Sequence, residues 1–140
     1  MPSTFALLGV PQSICTALER RGITKPFEIQ VATITDGLAG RDICGRAPTG
    51  SGKTIAFGIP IVTDLGKAGP KQPRALILAP TRELADQIHT ELRTFGGSTR
   101  IGVVYGGVGY GSQVGDLRRG IDVLVACPGR LEDLIDQGAV

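Results

Sequence analysis

The spacing of apolar residues along the chain alternates between the period of a helix and that of a buried strand. Residues 81–95 carry apolar side chains at steps of three and four, which predicts an amphipathic helix ended by Gly96 and Gly97. Residues 74–79 and 121–127 are largely apolar throughout, which predicts strands buried on both faces. The same pattern predicts helices at 11–21, 26–38, 53–65, 113–119 and 128–136, and further strands at 42–46 and 100–105.

The helical periods also predict which side chains face the core. We expect a kink at Pro60, because proline lacks the amide N–H that a helix interior needs. The predicted inward positions are Ile14, Leu18, Phe27, Val31, Ile34, Leu38, Ile55, Ile59, Val62, Leu84, Ile88, Leu92 and Phe95.

Strands and helices follow one another in alternation, which predicts an α/β fold with a parallel sheet covered by helices on both faces. With 140 residues, 41% of them apolar and 20% charged, the chain has the size and composition of one folded domain. Its longest apolar runs fall far short of the ~20 residues that span a bilayer, so we predict no membrane segment.

Charge and cysteine content narrow the choice of partner and compartment. The formal net charge is only +2, so any binding of nucleic acid must depend on local features. The single histidine argues against a histidine metal centre, and the three cysteines match neither a zinc-site spacing nor a disulfide framework. With no positively charged leader, these features predict a cytoplasmic protein with reduced thiols.

The first pattern with chemical meaning is a glycine-rich segment between a predicted strand and a predicted helix. Small residues let the backbone curl so that successive N–H groups point at one anion, and the following helix adds its positive end. A lysine there can reach the outer phosphates of a nucleotide, and the next hydroxyl can hold Mg²⁺. The alternative is an ordinary glycine-rich turn, but the context favours phosphate binding by Ala47, Pro48, Thr49, Gly50, Ser51, Gly52, Lys53 and Thr54.

A second glycine cluster spans residues 106–111. Its spacing does not fit the Gly-x-Gly-x-x-Gly pattern of dinucleotide-binding turns. Without a further pattern, it predicts only a flexible turn.

Five segments between residues 5 and 130 together match one set of family motifs. The first contains Phe5, Gly22, Pro26, Ile29 and Gln30, and the second is the glycine-rich segment 47–54. The others are Pro-Thr-Arg-Glu-Leu-Ala at 80–85, Gly-Gly at 106–107 and Pro-Gly-Arg at 128–130. In this order they resemble the Q motif, motif I, motif Ia, the GG motif and motif Ib of DEAD-box ATP-dependent RNA helicases. Two positions depart from that pattern, since Phe27 and Cys127 stand where the family commonly has threonine.

The resemblance implies a RecA-like P-loop domain and a role for each motif. It implies that Phe5 stacks on the adenine of ATP, that Gln30 reads the adenine edge, and that the loop holds the phosphates. Lys53 and Thr54 would be catalytic, with Thr54 also on Mg²⁺. RNA would be bound through its backbone, without sequence specificity, by Pro80, Thr81, Arg82, Gly106, Gly107, Pro128, Gly129 and Arg130. Taken alone, Gln30 would be a surface glutamine, Phe5 a core anchor and Thr81 a plain N-cap.

The acidic segment Asp-Glu-Ala-Asp, which the family uses to hold Mg²⁺ and position water, does not occur in the sequence. The resemblance therefore implies a truncated domain, with a Q-motif region at 1–30 and a partial first RecA-like domain at 31–140. Its parent would be a helicase and hydrolase with a second RecA-like domain in the same chain, and we expect these 140 residues alone to be inactive. A small P-loop kinase and a non-catalytic module that binds nucleotide or RNA stay open as alternatives.

Overall fold

A computed structural model describes residues 4–63 and 65–140 of the chain. The helices are a short 3₁₀ helix Ala6–Leu8, α1 Gln12–Glu19, α2 Glu28–Leu38, α3 Lys53–Val62, α4 Arg82–Phe95, α5 Tyr110–Arg119 and α6 Pro128–Asp136. The strands are β1 Ala75–Leu78, β2 Ile101–Val104 and β3 Val123–Ala126. These residues form two compact units: the first contains residues up to 63 and Thr94–Gly97, and the second contains Leu65–Arg93 and Ser98–Val140.

The first unit contains α1, α2 and α3. Pro11 is the N-cap of α1 and Gly22, with a φ of 76°, follows its end, as the sequence predicts. Helices α2 and α3 approach closely, because a Cβ on Gly37 would come within 2.6 Å of the Pro60 ring. The Q-motif segment and the residues up to 63 belong to this one unit, so the division at residue 30 stays a prediction based on motifs. The buried apolar residues here include Phe5, Val10, Ile14, Leu18, Ile34, Ile55, Ile59 and Phe95.

The second unit is built on a parallel sheet with the strand order β1-β3-β2. The chain passes from β1 to the far strand β2 and then returns to the central strand β3. Right-handed crossovers in these two opposite directions place α4 and α5 on opposite faces of the sheet. The predicted α/β sheet with helices on both faces is therefore confirmed, and the carboxyl ends of its strands share one edge.

Strand β3 is the centre of the core of this unit, and all four of its residues are buried. Leu124 and Ala126 pack in one cluster with Leu117 of α5 and Leu134 of α6. Full burial of a leucine side chain contributes about 1.5–3 kcal/mol. Three such leucines therefore fix α5 and α6 to the sheet.

A buried carboxylate fixes the start of β3. Asp122 is 1% exposed and accepts hydrogen bonds from the backbone N–H groups of Ala68 at 2.7 Å and Arg100 at 2.8 Å. The Arg100 guanidinium forms a 2.8 Å ion pair with it and also donates to the Ala68 carbonyl at 2.7 Å. Burial acts to raise the pKa of Asp122, but the hydrogen bonds and charge of Arg100, with the Ala68 N–H, outweigh it and lower that pKa to about 2. The carboxylate thus ties the segments before β1 and β2 to β3.

The predicted strand at 42–46 is wrong, and the strand predicted at 74–79 is present as β1 but is not buried on both faces, for a common reason. Residues 42–46 form no strand and are exposed, while β1 leaves Leu76 50% exposed and Leu78 57% exposed. A strand buried on both faces needs covering elements and paired neighbours. Among the described residues β1 has a strand neighbour only in β3, and residues 42–46 have none.

Three predicted inward side chains face solvent instead, those of Phe27, Val31 and Leu84. On α2 the buried positions are Gln30 and Ile34, because Gln30 finds hydrogen-bond partners inside the unit. On α4 the buried stripe contains Ala85, Ile88, Leu92 and Phe95, so Leu84 lies just beside it.

Helix α5 begins at Tyr110, three residues before the predicted start at residue 113. A glycine inside a helix costs about 1 kcal/mol relative to alanine, which is why the sequence favours a turn over residues 106–111. Contacts made by the side chains of Tyr110 and Gln113, described below, stabilise the first turn of the helix despite Gly111.

Candidate functional site

The glycine-rich segment 47–54 lies in the first unit and ends where α3 begins. Gly50 and Gly52 both have a φ of 81°, a left-handed conformation that glycine adopts without side-chain strain. Lys53 is the first residue of α3, so the free N–H groups of the first helical turn open toward the loop. The segment therefore has the backbone conformation and the helix end that suit a phosphate group.

Two side chains of this loop donate hydrogen bonds to carbonyl groups of the same loop. The Lys53 ammonium donates to the carbonyl of Ala47 at 2.7 Å, and the Ser51 hydroxyl donates to the carbonyl of Pro48. Lys53 is exposed, so an anion can draw its ammonium away without breaking a buried contact. Thr54 follows with a hydroxyl suited to Mg²⁺ held jointly with phosphate oxygens. Within residues 4–63 and 65–140, no cluster of His, Cys, Asp and Glu side chains could hold a metal by itself.

Gln30 joins this loop to the start of α2. Its side chain is buried, its Oε1 accepts from the Phe27 backbone N–H at 2.8 Å, and its Nε2 donates to the Gly52 carbonyl at 3.0 Å. A side chain on Gly52 would collide with this amide. Gln30 is therefore buried, and the alternative prediction that it is a surface glutamine is wrong. One N–H and one lone pair of the amide remain for a base edge, and that contact stays a prediction.

Phe5 and Phe27 differ in exposure: Phe5, which the resemblance places on adenine, is buried, and Phe27, which the helical period places inward, is exposed. Phe5 is 3% exposed, which matches the core anchor that the sequence left open, and its ring would have to leave the core to stack on a base. Phe27 is 57% exposed, and its ring lies 3.1 Å from where a Cβ on Gly52 would be. Phe27 therefore presents a solvent-exposed aromatic ring beside the loop.

A cavity of about 510 Å³ lies between α2 and α3 of the same unit. Its lining is mainly apolar, with Ile43 of the exposed segment 42–46 on one side and Arg41 among the polar groups. Lys53 is the one residue that it shares with the predicted site residues. The cavity therefore borders residues 42–46, which have no neighbouring strand in the part of the chain that the structure describes.

The predicted RNA-binding residues lie in the second unit, at the carboxyl edge of the sheet. One group begins α4 after β1, a second forms the turn after β2, and a third begins α6 after β3. The structure brings all three groups together, because parallel strands end at the same edge. Exposed members are Pro80, Thr81, Arg82, Gly106, Gly107, Pro128 and Gly129, whereas Arg130 is buried.

Arg82 reaches from α4 to the glycine turn 106–109. Its guanidinium lies 4.7 Å from the centroid of the Tyr105 ring, and its Nη1 is 3.4 Å from where a Cβ on Gly107 would be. The Tyr105 hydroxyl in turn donates to Asp86 at 2.9 Å. A cation–π contact at an exposed site contributes about 0.5–1 kcal/mol. The contact holds an exposed positive charge beside the turn.

Arg130 is held beneath the same turn. Its Nη1 donates to the Val108 carbonyl at 3.0 Å and to Oε1 of Gln113 at 3.1 Å. Its guanidinium lies 3.9 Å from the centroid of the Tyr110 ring, whose hydroxyl donates to Asp133 at 3.0 Å. The structure therefore gives Arg130 at least one function that the sequence does not predict, which is to support the turn.

The motifs and the apolar periods of the sequence do not identify Tyr105, Tyr110 or Gln113 as residues of the site. The chain has only two tyrosines and both are at this turn, which is a signal that could have drawn attention to them. Gln113 offers no such signal, because a glutamine in a short polar helix looks like any solvent-facing residue.

Cys127, one of the two departures from the family motifs, is the N-cap of α6 and makes no side-chain cap hydrogen bond. Burial raises the pKa of its thiol, and the charges of Asp86 and Glu83 raise it further. The thiol therefore stays protonated at neutral pH. A threonine hydroxyl at this position could accept a hydrogen bond from an N–H group in the first turn of α6, and the Cys127 side chain makes no such bond.

The described helices include none with both the length and the apolar character needed to cross a bilayer.

Comparison with known proteins gives one consistent match. Residues 27–139 match a family model described as DEAD/DEAH box helicase. The chain is 45% identical to DEAD-box ATP-dependent RNA helicase 3A, chloroplastic, of Zea mays, over 97% of this chain and 19% of the relative. It is 46% identical to DEAD-box ATP-dependent RNA helicase 9, mitochondrial, of Arabidopsis thaliana, over 97% of this chain and 23% of the relative. With such compartments among relatives, the cytoplasmic location stays a prediction.

Solved structures give the same match. A DEAD box protein from Methanococcus jannaschii has a TM-score of 0.87 at 33% identity, covering 98% of this chain and 38% of its own. The RNA helicase Prp28 from Chaetomium thermophilum, bound to ADP, has a TM-score of 0.84 at 40% identity, covering 93% of this chain and 33% of its own. These matches confirm the predicted RecA-like fold. The chain spans about a fifth to a quarter of the curated relatives it matches. It belongs to the DEAD/DEAH box helicase family.

Proposed function

We propose that the chain forms the adenine-nucleotide site and part of the RNA groove of an ATP-dependent RNA helicase. The observation that carries this proposal is the loop 47–54, which contains two left-handed glycines and is joined at Gly52, through the hydrogen bond from Gln30, to the Q-motif helix α2. Hydrolysis and duplex opening belong, in this proposal, to the longer protein, with an acidic segment and a second RecA-like domain. A P-loop kinase is set aside because the chain belongs to a helicase family.

In the proposed nucleotide complex, Lys53 leaves the Ala47 carbonyl and neutralises the outer phosphates, while the N–H groups at the start of α3 bind the same anion. Thr54 holds Mg²⁺ together with the phosphates. When bound, ATP with Mg²⁺ supplies the phosphoryl group that is transferred to water. Gln30 meets the adenine edge with its remaining N–H and lone pair, and the exposed ring of Phe27 offers the base an apolar surface. Phe5 stacks on adenine only if the N-terminal segment opens.

Calorimetry with ATP, ADP and GTP tests the nucleotide site. We expect the chain to prefer ATP and ADP over GTP, and Gln30→Ala to remove that preference while binding to the phosphates persists. Two hydrogen bonds to a base edge correspond to about tenfold or more in affinity. Gln12→Ala, an exposed glutamine of α1 in the same unit, is the matched control and should change nothing. Equal affinities of the wild type for ATP and GTP would contradict the adenine assignment.

For RNA, we propose that the exposed groups at the carboxyl edge of the sheet bind phosphates and riboses. Arg82 supplies the charge, the starts of α4 and α6 supply N–H groups, and the glycine turn lets the RNA backbone approach. This arrangement needs no strongly basic surface, which agrees with a net charge of +2.

Binding of short single-stranded RNA to the 140-residue chain tests this second site. We expect affinity weaker than about micromolar, equal for oligomers of different sequence, and falling with salt. Arg82→Ala should reduce the slope of log K against log salt by about 1. Arg93→Ala is the control, because Arg93 is exposed at the other end of α4. A strong preference among oligomers would indicate base readout instead.

A further inference from the structure

Gln113 is a buried polar side chain aimed at the glycine turn 106–109. It is 5% exposed and both ends of its amide are used. Its Nε2 donates to the carbonyl of Tyr105, the residue before the turn, at 3.1 Å, and its Oε1 accepts from Nη1 of Arg130 at 3.1 Å. The same nitrogen of Arg130 donates to the carbonyl of Val108 inside the turn at 3.0 Å. Gln113 therefore holds the turn directly at its start and through Arg130 at its third residue.

An amide is the side chain that this geometry requires. It presents one acceptor and one donor group at a fixed separation, so it can bind a carbonyl and a guanidinium at once. A glutamate would keep the acceptor for Arg130 but would face the Tyr105 carbonyl with a second acceptor. A leucine of similar size would keep neither bond. Gln113 is the fourth residue of α5, and helical side chains lean toward the helix N-terminus, which is where the turn ends.

The turn needs such support because its own residues supply little. Gly106 and Gly107 carry no side chain and are exposed, and Gly107 has a φ of 87°. Fixing glycine backbone costs more conformational entropy than fixing other residues. When the protein orders the turn before RNA arrives, the binding step does not bear that cost.

We propose that Gln113 is a positioning residue for RNA binding, which presets the conformation of the turn 106–109 through Tyr105 and Arg130. This inference rests on the proposed RNA function of the turn. Tyr110 contributes through a cation–π contact with Arg130, which helps to hold the guanidinium beneath the turn. Gln113 is neutral and buried, and it therefore influences RNA without neutralising a phosphate.

The experiment compares the wild type with Gln113→Leu and Gln113→Glu in the 140-residue chain, with Gln137→Leu, an exposed glutamine of the same unit, as control. Amide hydrogen exchange of residues 106–108 reports the order of the turn. RNA affinity is measured with a single-stranded oligouridine over a range of salt. ADP affinity and thermal unfolding report whether each variant is folded.

We expect Gln113→Leu to raise exchange in the turn and to weaken RNA binding, each by about tenfold, with the salt slope unchanged. Gln113→Glu should give an intermediate effect, because it keeps the bond to Arg130. It is also the deciding variant if Gln113→Leu does not fold. Gln137→Leu should match the wild type in every readout.

Wild-type exchange in both Gln113 variants would overturn the inference. A salt slope reduced by about 1 would also overturn it, since the site would then contact phosphate rather than position the turn. If the wild type itself binds no RNA, the RNA function fails, and the exchange data alone decide whether Gln113 orders the turn.

Discussion

Replacing Asp122 with asparagine is expected to destabilise the second unit by about 2–3 kcal/mol. The carboxylate is 1% exposed and bonds two backbone N–H groups together with the Arg100 guanidinium. An amide cannot satisfy all these donors, and its own N–H groups would face them. The Arg100 side chain is 36% exposed, so water can solvate its charge once the carboxylate is gone. The loss of stability is therefore smaller than for a fully buried ion pair. Urea denaturation at neutral pH measures the difference.

The same carboxylate predicts a pH dependence. The pKa of Asp122 is lowered from 3.8 to about 2 in the folded protein. Its contribution to the free energy of unfolding is therefore complete when the pH lies above the pKa of the unfolded chain, and this contribution is lost as the pH falls toward 2. A shift of this size corresponds to about 2 kcal/mol. The wild type should lose this increment between about pH 4 and pH 2, and Asp122→Asn should not.

Asp116→Asn is the matched control, because Asp116 forms an ion pair with Arg119 on the surface of the same unit. Exposed pairs contribute about 0–1 kcal/mol, so this change should be nearly neutral. If Asp122→Asn and Asp116→Asn had equal stabilities, the buried carboxylate would not hold the segments before β1 and β2.

We expect the 140-residue chain to self-associate as its concentration rises, through β1. The N–H groups of Ala75 and Ala79 bond to the β3 side, so by the alternation of a parallel ladder those of Leu76 and Leu78 point to the other edge. Both leucine side chains are at least half exposed there. An edge with apolar side chains and unpaired backbone groups favours pairing with another chain. Light scattering over a concentration series should therefore show a rising mass.

A charge on this edge should prevent association, since lysine on an edge strand blocks pairing. Leu78→Lys should give a constant monomer mass. Ile135→Lys is the control, because Ile135 is 52% exposed on α6 and lies on no sheet edge, and it should associate like the wild type. A wild type that stays monomeric throughout would show that β1 needs no further neighbour.

The sequence predicts best those elements whose ends and burial depend on local residues. The bounds of α6 agree with the prediction, because Pro128 at its first position and the spacing of Leu131 and Leu134 act within the helix. Residues 42–46 and Leu76 fail for the opposite reason. Their apolar character predicts strands with buried faces, yet a strand is buried by neighbours that need not be close in sequence, and here such neighbours are missing from the described residues.

The candidate site divides in the same way. The loop 47–54 and the segments beginning α4 and α6 are recognisable because their chemistry lies in consecutive residues. The support of the turn 106–109 is not recognisable, because it depends on contacts across sequence, such as that between Gln113 and Arg130. Gln30 is intermediate, since motif spacing identifies it but not its bonds to Phe27 and Gly52.

Residues 42–46 lead into the phosphate loop and have no partner strand among residues 4–63 and 65–140, which has a consequence for nucleotide affinity. If only a fraction of molecules holds the loop ready for an anion, the apparent dissociation constant equals the intrinsic constant divided by that fraction. A loop that is ready one-tenth of the time would bind about tenfold more weakly than a preformed one. Any partner that pairs with residues 42–46 would raise that population, and the chain would then bind nucleotide more tightly without a new contact to it.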